Sequence, residues 1–307
     1  MTTALIGLDW GSTQLRAYRY GERGEVLDKR VLPHGIRHLP GGGFAEAFAQ
    51  AVAGWPDAPL LACGMIGSRN GWQEVPYLDT PTGIERLAGA LGAMRTPDGR
   101  TLHLVPGLRD PGRPDVMRGE ETQVAGVLAR APSAIHRGCL LLPGTHSKWV
   151  ELRDGAVTGF ATVMTGELFG LLCRHSILGA QLPPAQDDER VFRRGVETAR
   201  DSGAAGALSR VFSARTLMLD GLLPPASVPD YLSGLLIGDE LRIALAAGWI
   251  DPLTPIQMVG EGALCERYLR AAALFGIDIA TTPDDTTAHG LWRIAVEAGL
   301  ASPLATA

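Results

Sequence analysis

Paired cysteines, long apolar runs and active-site signatures of hydrolases are missing from this 307-residue sequence. Its four cysteines are scattered without a C-x-x-C spacing, so we expect reduced, mostly buried thiols and no zinc centre. No apolar stretch reaches the length of a membrane span, and no G-x-S-x-G nucleophile motif occurs. Strand-like residues begin at Ala4, so we expect no signal peptide. We therefore expect a cytoplasmic protein without a membrane partner.

Clusters of basic side chains are also missing. The formal net charge is −5, with 20% charged and 46% hydrophobic residues, a composition typical of a globular protein. Proteins that bind nucleic acids carry basic patches, so we expect no nucleic-acid partner here. Basic residues with a function are instead expected in a cleft that binds a small anion.

What the chain does have is an acidic turn after its first apolar run. Residues 4–8 predict a buried strand that ends at Asp9, and Gly11 permits a tight turn before Ser12 and Thr13. Such a turn presents N–H groups and hydroxyls to a phosphate, and its carboxylate can hold Mg²⁺, often through water. The same residue pattern also occurs in ordinary turns. Motifs elsewhere in the chain are needed to distinguish the two interpretations.

Strand and helix patterns alternate along the whole chain, which is typical of an α/β protein with mixed sheets. The strand–turn–strand pattern of the N-terminus recurs near residue 139, and we therefore predict two related domains, 1–115 and 116–307, that face a cleft. We predict strands at 4–9, 14–20, 25–32, 59–63, 102–105, 139–142, 148–153, 157–163, 255–259 and 276–280. We predict helices at 44–53, 83–94, 119–130, 263–274 and 286–298, with 166–248 mostly helical.

A second candidate phosphate turn follows the predicted strand 139–142. Gly144 and Thr145 again offer a closely approaching backbone and a hydroxyl, and Lys148 can add a point charge for a phosphate. A polar turn with a surface lysine is the alternative. Its position after an apolar strand, as at residues 9–13, favours the phosphate interpretation.

A third glycine turn lies where a predicted strand meets a helix. Gly260, Gly262 and Ala263 would let a flat ligand such as adenine or ribose lie against the backbone and the helix N-terminus. The alternative is a simple strand-to-helix turn, in which the same glycines would have no ligand-binding role.

A pair of glutamates begins the predicted helix 119–130. Acidic residues in a first helical turn are favoured by the helix dipole, so the pair can be purely structural. A carboxylate there can also accept the proton of a sugar hydroxyl that attacks a γ-phosphoryl group. We predict Glu121 as this catalytic base, with Glu120 as the second candidate.

The candidate substrate residues lie mainly in a glycine-rich loop after the predicted strand 59–63. Arginine forms bidentate contacts with carboxylates, and loops on a rigid sheet often determine specificity. We therefore expect Arg69 to bind an acidic substrate, although a surface arginine in a structural loop is the alternative. Glu167, at a predicted helix start, can accept hydrogen bonds from hydroxyls. The full candidate set is Gly64, Ser68, Arg69, Trp72, Arg118 and Glu167.

Together these motifs resemble the actin-like ATPase and sugar kinase superfamily. Residues 9–13 are similar to its first phosphate motif, 142–149 to its second and 260–263 to its adenosine motif. In carbohydrate kinases an acid about twenty residues before the second motif is the catalytic base; Glu here replaces the more usual Asp. Longer stretches resemble the 2-dehydro-3-deoxygalactonokinase family over nearly the whole chain. These stretches are 63–72, 117–123, 143–149, 164–169 and 174–176.

The resemblance implies a fold, a reaction and its cofactors. Two actin-like (ribonuclease H-like) α/β domains, with mixed β-sheets flanked by helices, would hold ATP and Mg²⁺ in the cleft between them. The implied reaction phosphorylates the 6-hydroxyl of 2-dehydro-3-deoxy-D-galactonate, with Asp9 at the metal and Ser68, Arg69 and Glu167 at the sugar acid. Three alternatives stay open: a kinase for a related 2-keto-3-deoxy sugar acid, an exopolyphosphatase-like phosphohydrolase and a non-catalytic sugar sensor. The stretch 166–248 offers a surface for a homodimer.

Overall fold

The computed structural model describes residues 2–130, 137–251, 254–282 and 285–302. Contacts divide these residues into two compact units. Unit 1 contains the described residues of 1–136, 152–160 and 283–307, and unit 2 contains those of 137–151 and 161–282. Among the described residues, no helix has both the length and the apolar character that crossing a membrane requires.

Strands and helices alternate as expected for the α/β class. The strands are β1 Leu5–Trp10, β2 Leu15–Tyr20, β3 Val26–Leu32, β4 Leu60–Gly64, β5 Leu78–Asp79, β6 Thr82–Gly83, β7 Gly92–Arg95, β8 Thr101–Leu104, β9 Leu108–Asp110, β10 Asp115–Met117, β11 Arg137–Leu142, β12 Ser147–Arg153, β13 Ala156–Val163, β14 Ile256–Met258 and β15 Ile279–Thr281. The helices are α1 Gly43–Val52, α2 Ile84–Gly89, α3 Glu120–Arg130, α4 Thr165–His175, α5 Glu189–Arg200, α6 Ser213–Leu219, α7 Val228–Ala246, α8 Gly262–Ala273 and α9 Thr286–Glu297.

The main sheet of unit 1 has the order β3-β2-β1-β4-β8-β7. Strands β1, β4 and β8 are parallel, and β2, β3 and β7 pair antiparallel with their neighbours. Side chains alternate across β1, so Ile6 and Leu8 join the core with Phe48 of α1. Gly7 points to the other face, where Leu291 of α9 lies against it. Helices α1 and α9 therefore cover opposite faces of this sheet.

Unit 1 also contains short strands that the sequence did not predict. β10, β9 and β5 form a separate three-stranded sheet, and β6 pairs antiparallel with the start of β13. The helix predicted at 83–94 is wrong in its second half, because α2 ends at Gly89 and β7 begins at Gly92. β7 forms its hydrogen bonds with β8 across a turn at Asp98 and Gly99, a pairing that helical periodicity does not reveal.

Unit 2 is built on the parallel strands β11, β14 and β15, with residues 147–151 of β12 on the other side of β11. Its core combines Leu141 of β11 and Trp149 of β12 with apolar residues of α5, α7 and α8. A smaller cluster around Tyr231 and Leu232 packs against α4 and α6.

The division of the chain differs from the boundary expected at residues 115 and 116. Helix α3 belongs to unit 1, as does the C-terminal helix α9, which packs on it. The two helices touch at glycines: a Cβ on Gly126 would lie 1.8 Å from the Thr286 carbonyl oxygen, and one on Gly290 would lie 1.8 Å from that of Thr122. Such contact requires residues without side chains on both helices.

We expect Gly290→Ala to lower the free energy of unfolding by about 1–3 kcal/mol, because the new methyl group has to push the α3 backbone away. Urea unfolding measures this change. Gly89→Ala is the matched control, since it adds a methyl group to helix α2 where nothing lies within 4 Å. Equal stability of the two variants would contradict close packing of α9 on α3.

Candidate functional site

In unit 1, the predicted phosphate turn and the glycine-rich loop emerge side by side. β1 and β4 are parallel neighbours in which Trp10 is paired with Gly64, so both segments leave the carboxyl edge of the sheet at the same level. The start of α3 reaches the same place, because a Cβ on Gly119 would lie 3.4 Å from the Gly64 Cα. Both glycines have positive φ, +88° and +102°, which other residues rarely adopt.

The turn after β1 is tight and supported from outside. The Gly11 N–H donates to the Gln14 carbonyl at 2.9 Å, which closes the turn around Ser12 and Thr13. Gly35 packs directly on it, because a Cβ there would lie 2.3 Å from the Thr13 nitrogen. The exposed or half-buried Ser12 and Thr13 are thus held on a rigid turn.

Asp9 is the acidic residue of this turn. Its carboxylate forms an ion pair with Arg16 of β2, Nη1 to Oδ2 at 3.0 Å, and its side chain is 15% exposed. Burial raises the pKa of Asp9, and the neighbouring Arg16 guanidinium acts in the opposite direction. No group of three or more potential metal-ligating side chains exists among the residues that the structure describes. A lone carboxylate suits Mg²⁺, which binds one or two carboxylates together with waters and phosphates.

The loop after β4 contains residues of different character. Arg69 is exposed. Ser68 is nearly buried and donates its hydroxyl to the Met65 carbonyl at 2.7 Å. Trp72 lies in an aromatic cluster, stacked on Phe44 at 5.9 Å and edge-on to Trp10 at 6.1 Å. This packing anchors the loop on the core, and it leaves Arg69 as the exposed charged residue of the loop.

A buried cation, Arg118, lies against the same loop. Its side chain stacks on the Tyr77 ring at 4.4 Å, and Nη2 donates to the Val75 carbonyl at 2.7 Å. Nε and Nη1 have no hydrogen-bond partner among the described residues, and a Cβ on Gly67 would lie 2.8 Å from Nη1. A buried guanidinium with unsatisfied donors is costly, so it favours an anion nearby.

Burial separates the two candidate bases at the start of α3. Glu121 is completely buried; its carboxylate accepts a hydrogen bond from the Gly119 N–H at 2.6 Å and is bonded to the Thr122 hydroxyl at 3.0 Å. Burial, with the nearby charge of Glu120, raises the pKa of Glu121 to about 8. Glu120 is half-buried, and its carboxylate accepts from the Arg118 N–H at 3.0 Å. Exposure therefore favours Glu120, the second candidate, as the residue that reaches a substrate.

Glu121 should make stability depend on pH. The pKa of the Glu121 carboxyl is about 8 in the folded chain and has its ordinary value of 4.5 in the unfolded chain. Between these two pH values the folded state therefore binds more protons than the unfolded state. The free energy of unfolding consequently falls as pH rises through this window. We expect Glu121→Gln to be more stable than the wild type by on the order of 4 kcal/mol at about pH 8. The two should be similar below about pH 4.5, where both states of the wild type are protonated.

Urea unfolding at several pH values tests this expectation. Gln keeps the side-chain shape, and the Thr122 hydroxyl can accept a hydrogen bond from its amide. Parallel pH profiles for the wild type and Glu121→Gln would contradict a raised pKa.

Unit 2 contains a pocket of about 560 Å³ beside the second predicted phosphate turn. Gly144 and Thr145 line one side, and Glu261 and Ala263 at the start of α8 line another. Apolar side chains form much of the remaining wall: Phe169, Leu236, Ile237 and Leu264. An apolar pocket with a few polar groups beside a helix N-terminus is suited to a nucleotide.

Three predicted residues of unit 2 lie outside the lining of this pocket. Lys148 is buried in β12, where its Nζ donates to the Thr162 hydroxyl at 2.8 Å. Gly260 packs beside Pro143, with a Cβ contact of 3.4 Å. Gly262 begins α8. The pocket therefore brings together Gly144, Thr145 and Ala263 from the predicted set.

Glu167 follows the start of α4. Its N–H donates to the Thr145 carbonyl at 2.9 Å, and its carboxylate is hydrogen-bonded to the His146 ring. The side chain is 40% exposed, so this carboxylate is accessible to a ligand.

Comparison with known proteins identifies the family to which this chain belongs. The family model described as 2-keto-3-deoxy-galactonokinase matches residues 9–294. The chain belongs to this family. It is 36% identical to the 2-dehydro-3-deoxygalactonokinase of Escherichia coli (strain K12) over 290 residues, which is 93% of this chain and 95% of that protein.

Solved structures agree with the family and with the fold. A crystal structure of a protein assigned as a 2-dehydro-3-deoxygalactonokinase from Sinorhizobium meliloti has a TM-score of 0.85 and 35% identity, covering 95% of this chain and 98% of that one. The activator of 2-hydroxyisocaproyl-CoA dehydratase from Clostridium difficile, solved with bound ADPNP, has a TM-score of 0.51 at 13% identity, covering 97% and 94%. The predicted actin-like α/β fold is thereby confirmed.

Sequence reasoning missed two residues next to the candidate sites, Arg16 and Glu240. The Asp9–Arg16 ion pair follows from the hairpin register, in which the two residues are directly paired, and could have been inferred from the turn. Glu240 is fully buried in α7 next to the unit 2 pocket. The acidic pair Asp239 and Glu240 within the mostly apolar stretch 231–245 was the available signal, because buried carboxylates are rare unless they are hydrogen-bonded.

Proposed function

We propose that this chain is an ATP-dependent kinase that phosphorylates the 6-hydroxyl of 2-dehydro-3-deoxy-D-galactonate. The observation that carries this proposal is in unit 1, where the turn at residues 11–14, the arginine-bearing loop after β4 and the acidic start of α3 adjoin one another. Phosphoryl transfer to a sugar acid needs a phosphate clamp, a carboxylate partner and a base, and these segments offer all three. Membership of the family supports the choice of substrate.

Each unit has its own candidate phosphate turn. In unit 2, the apolar wall of the pocket would hold the adenine, and Gly144 and Thr145 would contact the phosphates. In unit 1, the N–H groups and hydroxyls of Ser12 and Thr13 would bind phosphate oxygens. Asp9 would hold Mg²⁺, which supplies charge neutralisation to the phosphates when it is bound.

Glu120 is assigned as the general base. The 6-hydroxyl oxygen attacks the γ-phosphorus, the bond from that phosphorus to the bridging oxygen of ADP breaks, and the hydroxyl proton passes to the Glu120 carboxylate. Glu121 holds the Gly119 N–H and so fixes the backbone from which Glu120 projects.

Two arginines are assigned to the carboxylate of the sugar acid. Arg69 is exposed and can form direct contacts, whereas Arg118 lies buried beneath the loop and adds positive charge there. A charged acceptor is the expected occupant of a site with unsatisfied guanidinium donors. Ser68 and the Gly64 backbone are further candidates for contacts with the hydroxyls of the acid, and Glu167 stays a prediction from the sequence.

We expect Arg69→Ala to raise the KM for the sugar acid by about 10–100-fold, because a hydrogen bond between charged groups contributes about 1.5–3 kcal/mol. The KM for ATP should change less than about twofold. Steady-state kinetics with each substrate varied in turn measure both values. Arg23→Ala, an exposed arginine in the β2–β3 turn, is the control and should leave both unchanged. Equal effects on ATP and acid would remove Arg69 from the substrate site.

A panel of six-carbon sugar acids tests the finer claim. The galactonate-derived acid is expected to give the highest kcat/KM, with the gluconate-derived stereoisomer and acids lacking the 6-hydroxyl well below it. A higher kcat/KM for the gluconate-derived stereoisomer would show that the preferred substrate is a related acid. Loss of ATP or polyphosphate without any acid would indicate a phosphohydrolase, and binding without turnover would indicate a sensor.

A further inference from the structure

A buried carboxylate, Glu240 of α7, lies directly behind the unit 2 pocket. Its side chain is 1% exposed. Oε1 accepts a hydrogen bond from Trp149 Nε1 at 2.8 Å, and Oε2 accepts from the hydroxyls of Tyr268, at 2.6 Å, and Thr165. Burying a carboxylate is costly, and these three neutral donors compensate for the lost water. Tyr268 and Thr165 themselves line the pocket.

One branch of this network leads to the phosphate turn through Tyr268. The Tyr268 hydroxyl is hydrogen-bonded to Ser147 Oγ at 3.0 Å, and Ser147 is completely buried. Ser147 Oγ in turn accepts from the Gly144 N–H at 3.4 Å. The carboxylate of Glu240 is therefore connected to the backbone of the turn through two hydroxyl groups.

The second branch passes through the start of α4. Thr165 is the first residue of this helix, and the next residue, Gly166, touches the turn: a Cβ there would lie 2.5 Å from the Gly144 carbonyl oxygen. The Thr165 hydroxyl bonded to Glu240 holds the helix start at this position. Two sides of the turn thus depend on one carboxylate.

The carboxylate also determines the direction of the hydroxyl groups. When it is ionised, this carboxylate only accepts hydrogen bonds, so Tyr268 and Thr165 then both donate to it. The Tyr268 oxygen is then left to accept from Ser147, and a lone pair of Ser147 Oγ faces the Gly144 N–H. A neutral amide at residue 240 would preserve the shape but would allow these directions to reverse.

We propose that Glu240 is a positioning residue for nucleotide binding, which holds the turn at Gly144 and Thr145 and the start of α4 in the conformation that accepts the phosphates of ATP. This inference rests on the proposed use of ATP in the same pocket. Glu240 acts through Tyr268, Ser147 and Thr165 and does not itself contact the nucleotide.

Titration calorimetry of the full chain with a non-hydrolysable ATP analogue and Mg²⁺ tests the proposal without requiring turnover. Glu240→Gln is expected to raise the Kd of the analogue about tenfold or more, equivalent to about 1.4 kcal/mol. The KM for ATP should rise in parallel, while the KM for the sugar acid should stay within about twofold. Glu266→Gln, which removes an exposed carboxylate from α8, is the control and should bind like the wild type.

Tyr268→Phe provides a second variant, because it keeps the ring and removes one donor to Glu240. It should also raise the Kd of the analogue. If Glu240→Gln does not fold, the Kd of Tyr268→Phe tests the proposal instead. Unchanged analogue binding in a folded Glu240→Gln variant, or in Tyr268→Phe if the first does not fold, would overturn the inference and leave the proposed kinase function intact. Equal losses for ATP and the sugar acid would also overturn it. A wild type that does not bind the analogue would contradict the proposed function itself.

Discussion

Glu120→Gln is expected to lower kcat by about 10²–10⁴-fold, the range that a positioned general base contributes. Gln has the same shape and can still accept from the Arg118 N–H, but its amide cannot take the proton of the 6-hydroxyl. The KM for ATP should change little, because the substitution removes a group that acts in the transition state. Steady-state kinetics at saturating ATP and acid measure the loss.

Glu121→Gln is the matched control for this prediction. It alters the neighbouring residue by the same chemical change, at a carboxylate that is completely buried. It should retain kcat to within about tenfold of the wild type, because its role is to hold the Gly119 N–H. The reverse result, a large loss in Glu121→Gln and a small one in Glu120→Gln, would show that the base is Glu121, as the sequence first indicated.

Asp9→Asn is expected to lower kcat by about 10²–10³-fold, because a neutral amide binds Mg²⁺ more weakly than a carboxylate does. The apparent Mg²⁺ concentration for half-maximal rate should rise as well. Stability should change little: the Asn oxygen can still accept from Arg16, whose side chain is 42% exposed and hydrated.

The control for Asp9 is Asp57→Asn, which makes the same change at a side chain that is 91% exposed and paired with Arg100. Its kinetics should match the wild type. An Asp9→Asn variant with unchanged kcat and Mg²⁺ dependence would remove Asp9 from the metal site.

Much of the fold follows from local pattern. The strands β1 to β4 and the helices α3 and α9 were expected within one or two residues, because each combines a clear apolar period with a recognisable start or stop. The strands β5, β6, β9 and β10 were not expected, since segments of two or three residues are too short to show a period. β7 was mistaken for helix because its strand character comes from pairing with β8.

The sequence indicated which residue types form the candidate site, but it did not show which of the candidate residues are exposed. The sequence places both glutamates in the first turn of α3. Which of the two is exposed depends on the tertiary packing of this helix start, where Gly119 lies close to Gly64. Lys148 was expected at a phosphate because it follows the turn at Gly144, yet the strand register directs it to Thr162. Glu240 and Tyr268 come from distant helices, so no local spacing relates them to Ser147.

The most direct test of the proposed function is the rate of ADP formation by the purified chain with ATP and Mg²⁺, measured with and without 2-dehydro-3-deoxy-D-galactonate. We expect ADP to form only when the acid is present, in a one-to-one ratio with a product that carries phosphate on its 6-oxygen. Asp9→Asn should suppress this rate under the same conditions. ADP formation that is equally fast without the acid, or no turnover with it, would contradict the account.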